Sequence, residues 1–270
     1  MATLASRVDH LLRTIRDPLC IFGVSRLGLF LLAYLSLAVL PLNPDPAILD
    51  PDHGLWRAFP ENLVLDGWAR WDSAWYTSIA EKGYVDVATN PAGQTNIAFF
   101  PLYPVLVRGL NLALHNSFLS GILISNLSFL GAILLLHQMI QTRFGMQAAS
   151  RATWLLCLFP FSFFFSAFYS ESLFLLLFVA SFFFAERGRW GFASVMAMLA
   201  GCTRIAGLAL FPALVFYYLE ELRFDLRKIG PDIAWLPLSL LGPAIYALFL
   251  YLQFGDPLLY LKANQASTWW

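Results

Sequence analysis

The sequence predicts an all-α, polytopic membrane protein, and three observations carry that prediction. Apolar residues make up 59% of the 270-residue chain and charged residues 13%, too apolar for an ordinary water-soluble domain and too long for a single crossing. The apolar residues gather in runs at 19–41, 117–140, 152–168, 173–185, 191–219 and 233–253. The basic clusters between those runs fall on one side of a membrane when the runs are read as about seven spans.

Residues 19–41 form the first span. Arg7, Arg13 and Arg16 precede it and no small-residue cleavage site follows Leu40 and Pro41, so the segment reads as a retained span and not a signal peptide. The positive-inside rule makes these arginines cytoplasmic, and Arg26 is expected to snorkel toward the same side. Residues 42–116 then form a long extracytoplasmic loop with Pro and Asp in its first part and a helix over 66–84. The run at 97–114 has prolines at its head and Arg108 in its middle, so it is expected to dip into the outer leaflet without crossing. The span at 117–140 leads in to Arg143 and Arg151, and 152–168 leads out to the turn Tyr169-Ser170-Glu171-Ser172. Residues 173–185 return to Arg187 and Arg189. Residues 191–219, interrupted at Thr203-Arg204, read as a hairpin of two short helices ending before Arg223, Arg227 and Lys228, and 233–253 leads out again.

This register brings Asp72, Glu171, Arg204 and Asp256 to the extracytoplasmic side. Within 66–84, Asp66 can cap a helix on which Trp68, Trp71, Trp75 and Ile79 share one face, and Asp72 falls on that face too. A carboxylate there needs water, a partner or a substrate; a helix cap or a pair with Arg70 would also account for it. Glu171 either completes the first turn of an apolar helix or faces Asp72 across a cavity. Arg204, between two apolar half-helices, suits a phosphate, or else pairs with a carboxylate such as Glu171.

Other classes find little support. Lys plus Arg equals Asp plus Glu, at 17 each, which argues against nucleic acid as a partner. The three cysteines sit in apolar runs without a CxxC pair, and the four histidines are scattered without zinc-ligand spacing. There is no G-x-S-x-G elbow and no Walker loop.

Arg70-Trp71-Asp72, the segment 79–84 and the segment 99–104 (Phe-Phe-Pro-Leu-Tyr-Pro) together resemble the first-loop signature of the PIG-V type mannosyltransferases. The resemblance extends through 159–174, the Arg-x-x-Gly turn at Arg204, and Phe254-Gly255-Asp256-Pro257 with Asn264, Gln265 and Trp269. It implies a GT-C-like fold in a single module over 1–270. It also implies transfer of a sugar, with inversion, from a polyprenyl-phosphate carrier to an extracytoplasmic lipid or glycan acceptor. Asp72 would be the general base and Arg204 would neutralise the phosphate. Glu171 would bind hydroxyls, or help hold a divalent metal ion if one is used. Arg70, Trp71, Trp75, Tyr76, Asp256 and Gln265 are the further substrate contacts expected. Members of the family usually continue with more C-terminal spans, so a missing C-terminal part is expected. The loop 42–116 has no Asn-x-Ser/Thr acceptor, which favours a bacterial inner membrane over the endoplasmic reticulum. A lipid-linked-sugar flippase and a noncatalytic subunit of a transferase complex are the alternatives from other classes.

Overall fold

A computed structural model describes residues 4–39, 62–85 and 93–265. The Pro- and Asp-containing first part of the predicted loop lies outside the described residues, as do Trp269 and Trp270. Among the described residues every regular element is helical. Three helical stretches among the described residues are long and apolar enough to cross a membrane: Ile15–Val39, Ser117–Phe144 and Pro231–Phe254. Three shorter apolar helices accompany them: Leu102–Leu114, Glu171–Ala185 and Trp190–Gly201.

The first helix, α1 (Leu4–Val39), turns Ile21 inward while Val24, Leu27, Leu31 and Leu32 remain more than half exposed. Exposed aliphatics in such a row suit hydrocarbon better than water. Arg26 does not snorkel. It is buried at 4% exposure, and its guanidinium donates to the carbonyls of Cys157 (2.9 Å) and Ser162 (3.0 Å) and to Ser166 Oγ (3.1 Å). Cys157 lies in the last turn of the helix Met146–Leu158, where carbonyls lack intrahelical partners and the macrodipole is negative, so a buried cation is satisfied there.

Short helices α2 (Leu63–Asp66) and α3 (Ser73–Lys82) lead to a 3₁₀ turn at Asn96–Ala98 and to α4 (Leu102–Leu114). At 13 residues α4 is about 20 Å long, too short to span the ~30 Å hydrocarbon core. The centre of the fold is α5 (Ser117–Phe144), started by the Asn116 side chain, which accepts from the N–H groups of Phe118 (3.1 Å) and Leu119 (3.0 Å). It packs against α1, α4, α6 (Met146–Leu158) and α7 (Glu171–Ala185). A Cβ on Gly121 of α5 would lie 2.0 Å from the ring of Phe168, so glycine lets this ring pack directly on the helix.

The expected element at 152–168 begins at Met146 and changes to a 3₁₀ turn over Pro160–Phe165. The hairpin at 191–219 is made of α8 (Trp190–Gly201) and α9 (Leu210–Glu221), joined by a 3₁₀ turn over Ile205–Ala209. The last long element is 3₁₀ over Pro231–Leu240 and α-helical over α10 (Leu241–Phe254); Pro237 lacks the N–H that an α-helical ladder needs there. A short α11 (Leu259–Asn264) follows. Glycines let the backbone close up around the bend: Cβ atoms on Gly207 and Gly242 would lie 2.4 Å from Gly201 N and 2.2 Å from Met198 O.

The charged groups separate to the two ends of α7. Glu186, just past its C-terminus, pairs with Arg143 at 2.9 Å, and Arg143 also donates to Tyr217 Oη at 2.8 Å. Glu171 opens the same helix 15 residues earlier, about 22 Å away.

Candidate active site

The loop around Asp72 is not one helix. α2 ends at Asp66, whose fully buried carboxylate forms an ion pair with Arg70, and the chain turns through Gly67 and through Trp71, which adopts a positive φ of 51°. The three tryptophans therefore part company. Trp68 packs under the Phe30 ring (centroids 4.3 Å apart), Trp71 is 58% exposed, and Trp75 stacks on Phe99 (6.0 Å, 18°).

Asp72 stands at the N-cap position of α3, yet its side chain makes no capping hydrogen bond, and Arg70 is engaged by Asp66. Neither the cap nor the Arg70 pair accounts for this carboxylate. The loop is held from below by Tyr169, whose hydroxyl accepts from the Asp72 N–H (3.3 Å) and donates to the Arg70 carbonyl (3.0 Å). Ser73 Oγ donates to the same carbonyl at 2.7 Å.

Ser170 and Glu171, which follow Tyr169, engage the other side of the site. Ser170 Oγ lies 2.8 Å from Tyr76 Oη and accepts from Arg204 Nη1 at 3.3 Å. Glu171 Oε1 accepts from Arg204 Nη1 at 2.5 Å. Arg204 is thus paired with Glu171, and it also lines a cavity of about 370 Å³ together with Asp72 and Tyr76. Ala98, Phe99 and Phe100 form a second wall, Thr203, Ile205 and Ala206 flank the arginine, and Tyr260 and Asn264 of α11 close the space.

The second wall is pinned by bonds distant in sequence. Tyr84 Oη donates to the Phe99 carbonyl (2.8 Å), Tyr246 Oη to that of Ile97 (2.7 Å), and the Leu102 N–H to that of Cys202 (3.0 Å).

Of the residues the sequence nominates, Asp72, Tyr76 and Arg204 meet in this cavity and Glu171 stands behind Arg204. Arg70, Trp71 and Trp75 belong to the loop around it and do not line it. Asp256 is turned aside: it pairs with Lys262 and accepts from the Leu258 N–H (2.9 Å), bonds that hold its pKa below the usual carboxylate value. Asp256 thereby organises the start of α11, on which Tyr260 and Asn264 share a face at i, i+4 spacing. Gln265, one residue further, is exposed outside the cavity. The polar residues missed by the sequence reading are Tyr169, Ser170, Thr203, Tyr260 and Asn264. Phe99 and Phe100 belong to the motif at 99–104, in which nothing signals that they share a cavity with Asp72.

Burial pushes the Asp72 carboxyl up to about 6; the negative charge of Glu171 adds to the rise and Arg204 opposes it. A carboxylate with that pKa is ionised at neutral pH yet basic enough to share a proton with a hydroxyl. Among the described residues no group of three or more His, Cys, Asp or Glu side chains could hold a metal ion.

Against known proteins, a model of the family Mannosyltransferase (PIG-V) matches residues 29–232. The chain is 29% identical over 218 residues to mouse (Mus musculus) GPI alpha-1,6-mannosyltransferase 2, over 72% of this chain and 42% of that protein. It therefore spans less than half the length of that relative. No solved structure matches. The matched segment contains Asp72, Glu171 and Arg204, whereas α11 lies beyond it. By the extent of this match the chain belongs to the PIG-V mannosyltransferase family.

Proposed function

We propose that this chain carries the catalytic site of a membrane mannosyltransferase that moves a sugar from a polyprenyl-phosphate carrier to a hydroxyl of a lipid or glycan acceptor. One observation carries the reading: in a chain of this family, Asp72 and Arg204 line the same cavity. Its volume of about 370 Å³ falls within the ~300–1,000 Å³ of small-molecule sites.

In the reaction, ionised Asp72 takes the proton of the acceptor hydroxyl as its oxygen attacks the anomeric carbon. The bond from that carbon to the phosphate oxygen breaks and the phosphate leaves with the electron pair. Attack opposite the leaving group inverts the anomeric centre through an oxocarbenium-like state. A phosphate is a weak base and needs its charge balanced more than it needs a proton. Arg204 supplies that balance, and the Glu171 carboxylate and Ser170 hydroxyl fix the guanidinium before substrate arrives. Tyr76, buried and bonded to Ser170, forms the floor. The aromatic wall of Phe99 and Phe100 with Tyr260 suits the apolar face of a sugar ring.

In the membrane this cavity opens to the extracytoplasmic side, with the Arg143–Glu186 end of α7 in the cytoplasm and about seven spans between. A bacterial inner membrane is the favoured setting and the endoplasmic reticulum membrane the other. The test is Asp72→Asn in membranes supplied with labelled polyprenyl-phosphate mannose. Transfer falls by about 10²–10⁴-fold if Asp72 is the base. Undiminished transfer by the variant removes Asp72 from that role.

A further inference from the structure

The helix α4 carries a cation that the catalytic reading leaves unused. Tyr103, Pro104 and Val107 face the core, while Val105, Leu106 and Leu112 are 57%, 40% and 77% exposed. Arg108 is exposed beside them and has no carboxylate, hydrogen-bond or ring partner among the described residues. Among the described residues it is also the one charged side chain lining a groove of about 300 Å³ between α3, α4 and α10, whose other walls include Ile79, Tyr84, Pro101, Val105 and Phe249.

From this we propose that Arg108 and the groove bind an anionic glycerophospholipid of the surrounding bilayer, its phosphodiester on the guanidinium and one acyl chain along the apolar walls. An unpaired guanidinium beside exposed aliphatic side chains, on a helix too short to cross, belongs at the depth where hydrocarbon meets phosphate. Guanidinium matches the geometry of a phosphate oxygen pair. Free phosphate would leave the groove empty. The sugar carrier is assigned to the neighbouring cavity, separated by the strap that Tyr84 fastens to the Phe99 carbonyl.

The experiment is native mass spectrometry of the full chain released from detergent with equimolar palmitoyl-oleoyl phosphatidylglycerol and phosphatidylcholine. The native chain should retain the phosphatidylglycerol about tenfold better, as expected of a charge-assisted pair. Arg108→Gln should bring the two lipids to within twofold of each other. Val105→Trp, which fills the groove from an exposed position, should lower retention of both. Equal retention of the two lipids by the native chain overturns the proposal, as does a preference that survives Arg108→Gln. Displacement of phosphatidylglycerol by millimolar inorganic phosphate, or preferential displacement by polyprenyl phosphate, also overturns it, since the occupant would then be a bare anion or the carrier. Because binding is read and not sugar transfer, the result is independent of the catalytic assignment.

Discussion

Arg26 and Arg204 both sit within the helical body, and they meet the cost of an interior cation in opposite ways. Arg26 gives its donors to backbone carbonyls and a serine at the end of α6 and in the 3₁₀ turn that follows it, is 4% exposed, and lines none of the space around Asp72. Arg204 has a carboxylate partner, yet its side chain is 41% exposed and faces a cavity shared with another carboxylate. The lesson is that intramembrane charge alone does not mark a site. What separates the two is whether the partners consume the whole guanidinium or leave an edge facing open space.

That contrast can be broken by substitution. Arg204→Ala should lower mannosyl transfer by about 10²–10³-fold, the usual loss when a preorganised charge-stabilising donor is removed. Arg204→Lys should recover only part, because an ammonium lacks the planar fork. Arg26→Met should instead cost stability, about 3 kcal/mol, since the carbonyls of Cys157 and Ser162 lose their charged donor. Thermal unfolding in detergent measures it, and transfer per folded molecule should stay within twofold of the native chain. Loss of specific activity in Arg26→Met comparable to that of Arg204→Ala would erase the distinction.

Asp72 sharpens the comparison from the carboxylate side. Its pKa is raised to about 6, so the charged form needed by a base is present above that pH and lost below it. Transfer should therefore fall about tenfold per pH unit below 6 and level off above. The linkage has the reverse sign for stability. A raised carboxyl pKa means that the folded state binds its proton more tightly than the unfolded state between about 4 and 6, so ionised Asp72 destabilises the fold at neutral pH. Asp72→Asn should lose about 10²–10⁴-fold in transfer yet be more stable at pH 7 by about 3 kcal/mol, a gain that shrinks toward pH 4. Melting curves at the two pH values check it.

How much of this was legible in the sequence follows from which forces are local. Apolar runs and prolines marked the helices, including the interruption at Thr203-Arg204 and the shortness of α4. The loop from 66 to 84 misread as one helix because its break depends on Trp71 in a left-handed conformation, which a bulky residue adopts only where tertiary contacts hold it. Those contacts come from Tyr169, 97 residues away from Asp72. Asp256 looked like a site residue because the pattern showed a carboxylate, and only the fold shows it spent on Lys262 while Tyr260 and Asn264 face the cavity. Arg26 was misassigned for the same reason, since its partners are carbonyls that no side-chain pattern reveals.

Tyr169→Phe gives the smallest expected effect and the most discriminating one. The substitution keeps the ring, which packs edge-on against Phe164 at 5.0 Å, and removes only the hydroxyl. The Arg70 carbonyl still accepts from Ser73 Oγ, so the Asp72 N–H is the group left without its partner. Losing one hydrogen bond of about 1 kcal/mol should lower turnover about fivefold with KM little changed. It should also loosen the loop enough to hydrate Asp72, moving the acid limb below pH 6 toward the ordinary carboxylate value. A packing role alone would leave that limb in place. An unshifted limb with native turnover would mean that Asp72 is positioned by α3 itself and not by the tyrosine beneath it.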